Sequence, residues 1–492
     1  MNRRDLVLGS MTALLAGARL NAADVLVSGG EIPAISRTGG QISLPASAVK
    51  KFRARLHGAL LDASSPAYDA TRHIWNGAFD RHPALIARCG SAADIQRSIE
   101  FARTHDLLVS VRGGGHSLPG YSQCEGGLMI DLAPMQAVQV DGARRTLRAQ
   151  PGVLLSGMDR AAQKFGLAVP AGTVSHTGIA GLTLGGGVGR LARAKGLSID
   201  NLLSADVVTV DGKLLRASRD ENPDLFWALR GGGGNFGIVA SFQYRAHQLG
   251  ARLMGGDIIY PFAATRDVMG YLSENSAAYP RDLYFEPIVE CDADGNRRLV
   301  VTVCHCGDLA QAERDLAALR AAFKPAFDGV KPTPFVELQS AFDASAPHGR
   351  SYYMTGGLGS APPAKLIDHV VESMQKPGAE MGKFNFTLHG GGAVAEVAPD
   401  ATAFFYRDAT HNFVVRASWD DKQLAEQRTA WARATWAGVA PFTRGFYANL
   451  AAQAKAPPGA AFGDNFARLQ QIKKKYDPTN LLHMNQNIAP AA

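Results

Sequence analysis

Apolar and polar positions keep one rhythm up to about residue 250 of this chain and another beyond it. Between residues 83 and 131 a helical spacing through Ile95, Ile99 and Phe101 leads to short apolar strands over 107–111 and 127–131, with a turn at Pro119-Gly120 between them. Val138, Val140, Leu147 and Ala149 then alternate as in half-buried strands. A helix is predicted over 154–165, because Gly166 stands where a left-handed residue closes such a helix. A strand over 205–210 turns at Asp211-Gly212, a strong hairpin signal, into another over 213–217. Short strands mixed with few helices predict an α+β domain and not a regularly alternating doubly wound sheet.

After about Gly250 strand-like runs (284–289, 298–303, 384–389, 412–418) alternate with helical ones (309–323, 364–375, 422–436). This predicts a second α+β layer, an antiparallel sheet with helices packed on one face. The tail over 462–490 is predicted helical until Asp477-Pro478-Thr479-Asn480 breaks it. A frayed end needs no amide cluster, so Asn485-Gln486-Asn487-Ile488 is expected to fold back on the body of the protein.

At 492 residues the chain exceeds what one core organises, and with 46% hydrophobic and 19% charged residues it has ample core and no disordered character. The formal charge of +7 is mild and scattered, apart from Lys473-Lys474-Lys475, which reads as a solvated helix face. A small-molecule partner is therefore expected, and nucleic acid is not. The Cys count of 5, with no CxxC pair, argues against a disulfide framework and against a metal site. In Cys304-His305-Cys306 alternation puts both thiols on one face and the histidine on the other, as core packing would. Arg3-Arg4 before an apolar run from Leu6 to Ala18, with Ala22-Ala23 following, looks like a twin-arginine export signal over 1–23 and is too short to span a membrane. It predicts a periplasmic or secreted protein that meets the twin-arginine export machinery and has no stable membrane insertion, with a cytoplasmic location as the alternative. Residues 24–44 read as a linker, 45–252 and 253–445 as the two domains, and 446–492 as a segment returning to the first.

Three glycine clusters carry the chemistry: Arg112-Gly113-Gly114-Gly115-His116-Ser117, then 178–189 with Gly185-Gly186-Gly187-Val188-Gly189, then 230–239 with Asn235-Phe236-Gly237-Ile238-Val239. Residues without Cβ let a backbone approach a flat or charged ligand and aim N–H groups at phosphate. No GxGxxG opens a helix directly after a first strand, so the usual nicotinamide-dinucleotide module is absent. Together with Gly126-Gly127-Leu128-Met129-Ile130-Asp131, Asn222-Pro223-Asp224-Leu225-Phe226-Trp227 and Tyr476-Asp477-Pro478-Thr479-Asn480, these clusters resemble the FAD-linked oxidases of the berberine bridge enzyme-like group. That group lies within the vanillyl-alcohol oxidase, or PCMH-type, superfamily and includes bacterial 6-hydroxy-D-nicotine oxidase and oligosaccharide oxidases. The resemblance covers about 80 to 250 and 445 to 490.

It implies a PCMH-type FAD-binding domain beside an α+β substrate domain, and FAD held covalently through His116. It places Arg112, Gly113, Gly114, Gly115, Ser117, Gly120, Gly172, Thr173, Thr177, Gly178, Gly181, Gly185, Gly186, Gly187, Gly237, Ile238, Val239, Asn485 and Asn487 around the cofactor. Relatives with a second, cysteinyl link carry it where Val174 stands here, so a single covalent bond is expected. Thr177 stands where a valine-sized residue admits oxygen, which favours an oxidase that reduces O2 to hydrogen peroxide. The group's proton-accepting tyrosine in a Tyr-x-Asn-Tyr segment is replaced in Tyr447-Ala448-Asn449-Leu450. Tyr447 and Tyr406 are left as candidate bases, effective if a neighbouring cation lowers the phenol's pKa. An amine substrate needs no strong base. A dehydrogenase passing electrons to a quinone or cytochrome, and a flavin-binding protein without catalysis, stay open.

Overall fold

The computed structural model describes residues 30–450 and 459–492. The predicted export signal and the first part of the predicted linker lie outside the described residues. The rest of that linker is not one: strands Ile32–Ile35 and Gln41–Leu44 pair as a hairpin, and Ala34 and Leu44 are buried in the core of the adjoining sheet. Its glycines, Gly39 and Gly40, serve the turn between the strands.

The first domain is built on two sheets. In one, strands Leu85–Arg88, Leu128–Asp131 and Val109–Arg112 lie parallel, with Ala59–Leu61 antiparallel at the edge. Helix Ala92–Thr104 makes the crossover; Ser91 caps its first turn and Ile95, Ile99 and Phe101 are buried beneath it. The other sheet is antiparallel, in the order Leu214–Ser218, Leu202–Val208, Ile238–Arg245, Thr146–Ala149, Val138–Asp141. Helix Leu155–Gln163 lies nearby and gives way to Gly166 at φ +64°, as its sequence predicts.

Beyond Gly250 an antiparallel sheet runs Leu253–Pro261, Arg297–His305, Leu283–Cys291, Lys383–Leu388, His411–Trp419, Ser351–Gly359, with short strands at its edges. Alternation divides it. Phe285, Val289, Phe384, Phe386, Phe413 and Val415 face helices Thr265–Glu274, Leu309–Ala322, Ala364–Ser373 and Ala425–Val439 and form one core with them. Their alternates Glu286, Ile288, Asn385 and Val414 lie on the opposite face. The molecule is thus the α+β architecture expected. All five cysteines are free; Cys304 and Cys306 share one apolar cluster, while His305 Nε2 lies 2.9 Å from Asp315 on the other side.

The lysine run departs from its reading as a solvated face. Lys473 is fully buried in helix Phe466–Tyr476, its ammonium 2.7 Å from Asp477 and donating to the carbonyls of Asn235 and Leu482. Asp477 also accepts from the amides of Leu481 and Leu482. One i,i+4 ion pair therefore nails the last segment to the glycine cluster at 230–239, and only Lys474 and Lys475 behave as surface charges.

Candidate active site

A cavity of about 430 Å³ lies between the domains, and its two walls differ in kind. The first wall is mostly backbone. Strand Val109–Arg112 points Val109 and Val111 into the cavity and hands the chain to Gly113, Gly114, Gly115, His116 and Ser117, which line it. Gly172, Thr173, Thr177, Gly178, Gly181, Gly185, Gly237, Ile238, Val239 and Asn485 line it too, as the sequence leads one to expect.

The glycines do two different jobs. A Cβ on Gly114 would stand 2.4 Å from Cα of Gly178, and one on Gly178 would stand 2.4 Å from the amide nitrogen of Gly114, so these two loops touch backbone to backbone. A Cβ on Gly181 or Gly234 would meet no atom within 4 Å and would enter the open cavity instead. That cradle, and the buried Oδ1 of Asn485, which lacks a partner, fit a flat heteroaromatic cofactor carrying an N–H donor, as a flavin does.

His116 projects from the first loop. Its ring stacks on Trp75 with centroids 4.3 Å apart, and its Nε2 lies 3.2 Å from Nδ1 of His176. Burial, then the neighbouring His176 and His348, push its pKa down to about 3, so the imidazole is neutral. With Nε2 engaged, Nδ1 is the ring nitrogen left for other chemistry.

Tyr447 lines the same cavity from the returning C-terminal segment. Its hydroxyl oxygen accepts from the amides of Gly187 at 2.9 Å and Val188 at 3.4 Å, and from Nδ2 of Asn449 at 2.8 Å. The same Nδ2 donates to the carbonyl of Leu182, which fixes the amide's orientation. Burial raises the phenol's pKa, against the pull of those donors. Ringed by donors, the Tyr447 hydroxyl has no acceptor among the described residues for its own proton.

Several expected residues lie off the cavity wall. Arg112 is turned away by strand alternation; its guanidinium donates to the Thr71 carbonyl and stands 3.9 Å from Asp131. Gly120 packs on the ring of Phe79. Gly186 sits against Phe404 and Tyr447, and Gly187 against Ser198, so this pair shapes the seat of Tyr447. Asn487 is exposed, and its neighbour Gln486 lines the cavity in its place. Tyr406 is no candidate base: its hydroxyl donates to the Ala460 carbonyl, and its ring crosses over Gly445, outside the cavity. The bidentate pair of Arg407 with Asp200, both contacts 2.8 Å, holds the chain in that orientation.

The second wall is the polar face of the large sheet: Tyr284, Glu286 and Ile288 from one strand, Lys383, Asn385 and Thr387 from the next, and Asn412, Val414 and Arg416 from the third. The signal for it is the period-two alternation of those runs.

The FAD binding domain family matches residues 83–218, and the berberine and berberine-like family matches residues 447–489. The chain is 31% identical over 461 residues to (R)-6-hydroxynicotine oxidase of Paenarthrobacter nicotinovorans, covering 88% of this chain and 97% of that protein. It is similar to the crystal structure of 6-hydroxy-D-nicotine oxidase from Arthrobacter nicotinovorans, with a TM-score of 0.82, 29% identity, and 89% and 98% of the two chains covered. A chitooligosaccharide oxidase shares the fold at 24% identity, with a TM-score of 0.81 and 90% and 100% covered.

Proposed function

Taking as premise that the chain belongs to the berberine-like FAD-linked oxidoreductases, we propose that it removes hydride from a CH–OH or CH–NH carbon of a small organic substrate and returns the electrons to O2 as hydrogen peroxide. The observation that carries this reading is a neutral imidazole, His116, standing at the meeting of a Cβ-free wall and a polar wall of one cavity. When bound, FAD supplies the two-electron acceptor.

The residues divide the remaining work. His116 would hold the cofactor through a single covalent bond, a ring nitrogen replacing a hydrogen on the flavin's 8α-methyl carbon with the two electrons passing through the flavin to O2, and Val174 leaves no thiol for another. Gly181 and Gly234 give the cofactor room, and Asn485 offers it an acceptor. Tyr447 is the candidate for moving the substrate proton, because the residue lines the cavity and the Gly187 and Asn449 donors ease ionisation of its hydroxyl. Thr177, of valine's shape, leaves space for oxygen. The small-molecule substrates follow the relatives named for 6-hydroxynicotine and chitooligosaccharide. Export through the twin-arginine route to the periplasm is part of the same proposal and rests on residues 1–23; fusing them to a reporter tests it. Among the described residues no helix is long and apolar enough to cross a membrane.

Acid precipitation is the direct test. The wild-type pellet is expected to keep its yellow colour, and His116→Ala to release flavin to the supernatant; release from both overturns the covalent bond. Peroxide release with substrate supports the oxidase, whereas turnover only with an added quinone or cytochrome makes the protein a dehydrogenase. No bleaching by any substrate under anaerobic conditions would leave a flavin carrier.

A further inference from the structure

The polar wall is graded along its strands. Registers align Glu290, Lys383, Arg416 and Met354 across four neighbouring strands as one row. Four residues further along, Thr387, Asn412 and Leu358 align as another, which Glu286 joins through its bond to Thr387. The two rows are about 13 Å apart along the strand direction. Met354 packs in the cluster of Trp75, the ring under His116, while Leu358 packs in the cluster of Tyr447. The charged row therefore lies towards His116 and the neutral polar row towards Tyr447.

Charges are balanced in one row and not in the other. Glu286 is fully served: it accepts from Tyr284 at 2.7 Å, Asn385 at 2.8 Å and Thr387 at 3.2 Å. In the charged row a single carboxylate, Glu290, takes both Arg298 and Lys383, each at 2.6 Å. Arg416 stands directly across from Lys383, like charge opposite like charge, an arrangement that costs stability in a sheet. Among the described residues the Arg416 guanidinium forms neither an ion pair nor a hydrogen bond, and its Nε is shut off from water with no partner. The cost falls on that desolvated Nε–H, and an anion reaching it from the cavity would relieve it. Burial lowers the pKa of Arg416, and burial followed by the neighbouring Arg416 charge lowers that of Lys383, in keeping with the like-charge register. On the same strand and face, Oδ1 of Asn412 is a buried acceptor without a donor.

We infer that the substrate is an organic carboxylate, its acid group held by the planar fork of Arg416 beside Lys383, and its O–H or N–H end directed towards Asn412 and Tyr447. This rests on the flavoenzyme reading above and narrows its substrate class. A lone guanidinium matches the single charge and planar oxygens of a carboxylate, the geometry in which arginine binds bidentately.

The holoenzyme and its Arg416→Met and Arg416→Lys variants test it. Benzoate, mandelate and glucuronate are titrated while melting temperature and the flavin absorption band are followed, against benzyl alcohol and glucose as neutral counterparts and a sugar phosphate as the other anion. Carboxylates are expected to raise the melting temperature and shift the band at lower concentration than their neutral counterparts. Arg416→Met should weaken carboxylate binding about 100-fold, with Arg416→Lys between it and wild type, and neither should move the response to the neutral compounds. The kinetic counterpart is a loss of kcat/KM for acids only, carried by KM. Equal binding of acids and neutral compounds, tighter binding of the sugar phosphate than of any carboxylate, or a preference that survives Arg416→Met each overturns the inference. Flavin bleached by neutral substrates would leave the flavoenzyme reading standing in those cases, whereas a protein that binds no flavin fails that reading separately.

Discussion

The two walls of the cavity are made by opposite means. The wall towards the first domain is defined by what is missing: it presents backbone and empty Cβ positions to the cavity, and its loops interlock so tightly that Gly114 and Gly178 have no room for a methyl group. The wall towards the second domain works by what protrudes: side chains alternate off a sheet whose other face is a conventional apolar core. A backbone wall admits few substitutions, and a side-chain wall admits many without disturbing the fold. On the proposed function, cofactor and substrate would then be met by parts of the molecule with different tolerance to change.

That contrast can be broken at several points. The largest effect is expected from Gly114→Ala, because relief would need two backbones to part; loss of bound flavin and destabilisation of about 3 kcal/mol or more should show in the flavin absorbance and in denaturant unfolding. If this variant folds and loads normally, the interlocked loops are not what shapes the wall. Tyr447→Phe leaves the Gly187 amide and the Asn449 Nδ2 without their shared acceptor, which costs about 1–3 kcal/mol of stability per stranded donor. Should Tyr447 also accept the proton, the rise of rate with pH that follows its ionisation disappears with it; a profile of unchanged shape assigns it to the wall alone.

At the seam between the walls, Asp159 faces Gln339 of the second domain. Burial pushes the Asp159 carboxyl up to about 7, and both its Oδ1 and the Oε1 of Gln339 lack partners, so a proton on Asp159 supplies a donor the pair lacks. The folded state then holds this proton more tightly than the unfolded chain, whose carboxyl titrates near 3.8. The stabilisation is complete below that pH and is lost as pH rises through about 7. Asp159→Asn should remove this dependence, and melting curves between those limits measure it. The smallest effect on the fold is expected from Gly181→Ala. In helix Ile179–Leu184 the methyl group meets no atom and should stabilise the apoprotein by about 0.5–1 kcal/mol while obstructing flavin loading. A variant that loads flavin as wild type does would show that the open space at Gly181 is not the cofactor's.

The backbone wall was legible because its chemistry demands glycine and allows little else, so Gly113-Gly114-Gly115-His116 stands out from any background. The side-chain wall was not, because Lys383, Asn385 and Thr387 between Phe384, Phe386 and Leu388 look like any strand with one wet face. Only tertiary closure turns that wet face into a cavity. Strand Ser351–Gly359 escaped notice because Gly356-Gly357 reads as a loop; in the sheet Gly357 is needed, since a Cβ there would stand 2.7 Å from Thr443. The choice between Gln486 and Asn487 falls in a segment without periodicity, where no pattern says which amide turns inward. Lys473 was hidden by its company, two further lysines in a row, although its i,i+4 spacing to Asp477 was there to be seen.

The buried Lys473–Asp477 pair has a temporal consequence. It secures Leu482, Met484, Asn485 and Gln486, contributors to the cavity that leave the ribosome after every other part of it. During synthesis the chamber is therefore unfinished on that side until the ammonium finds its carboxylate.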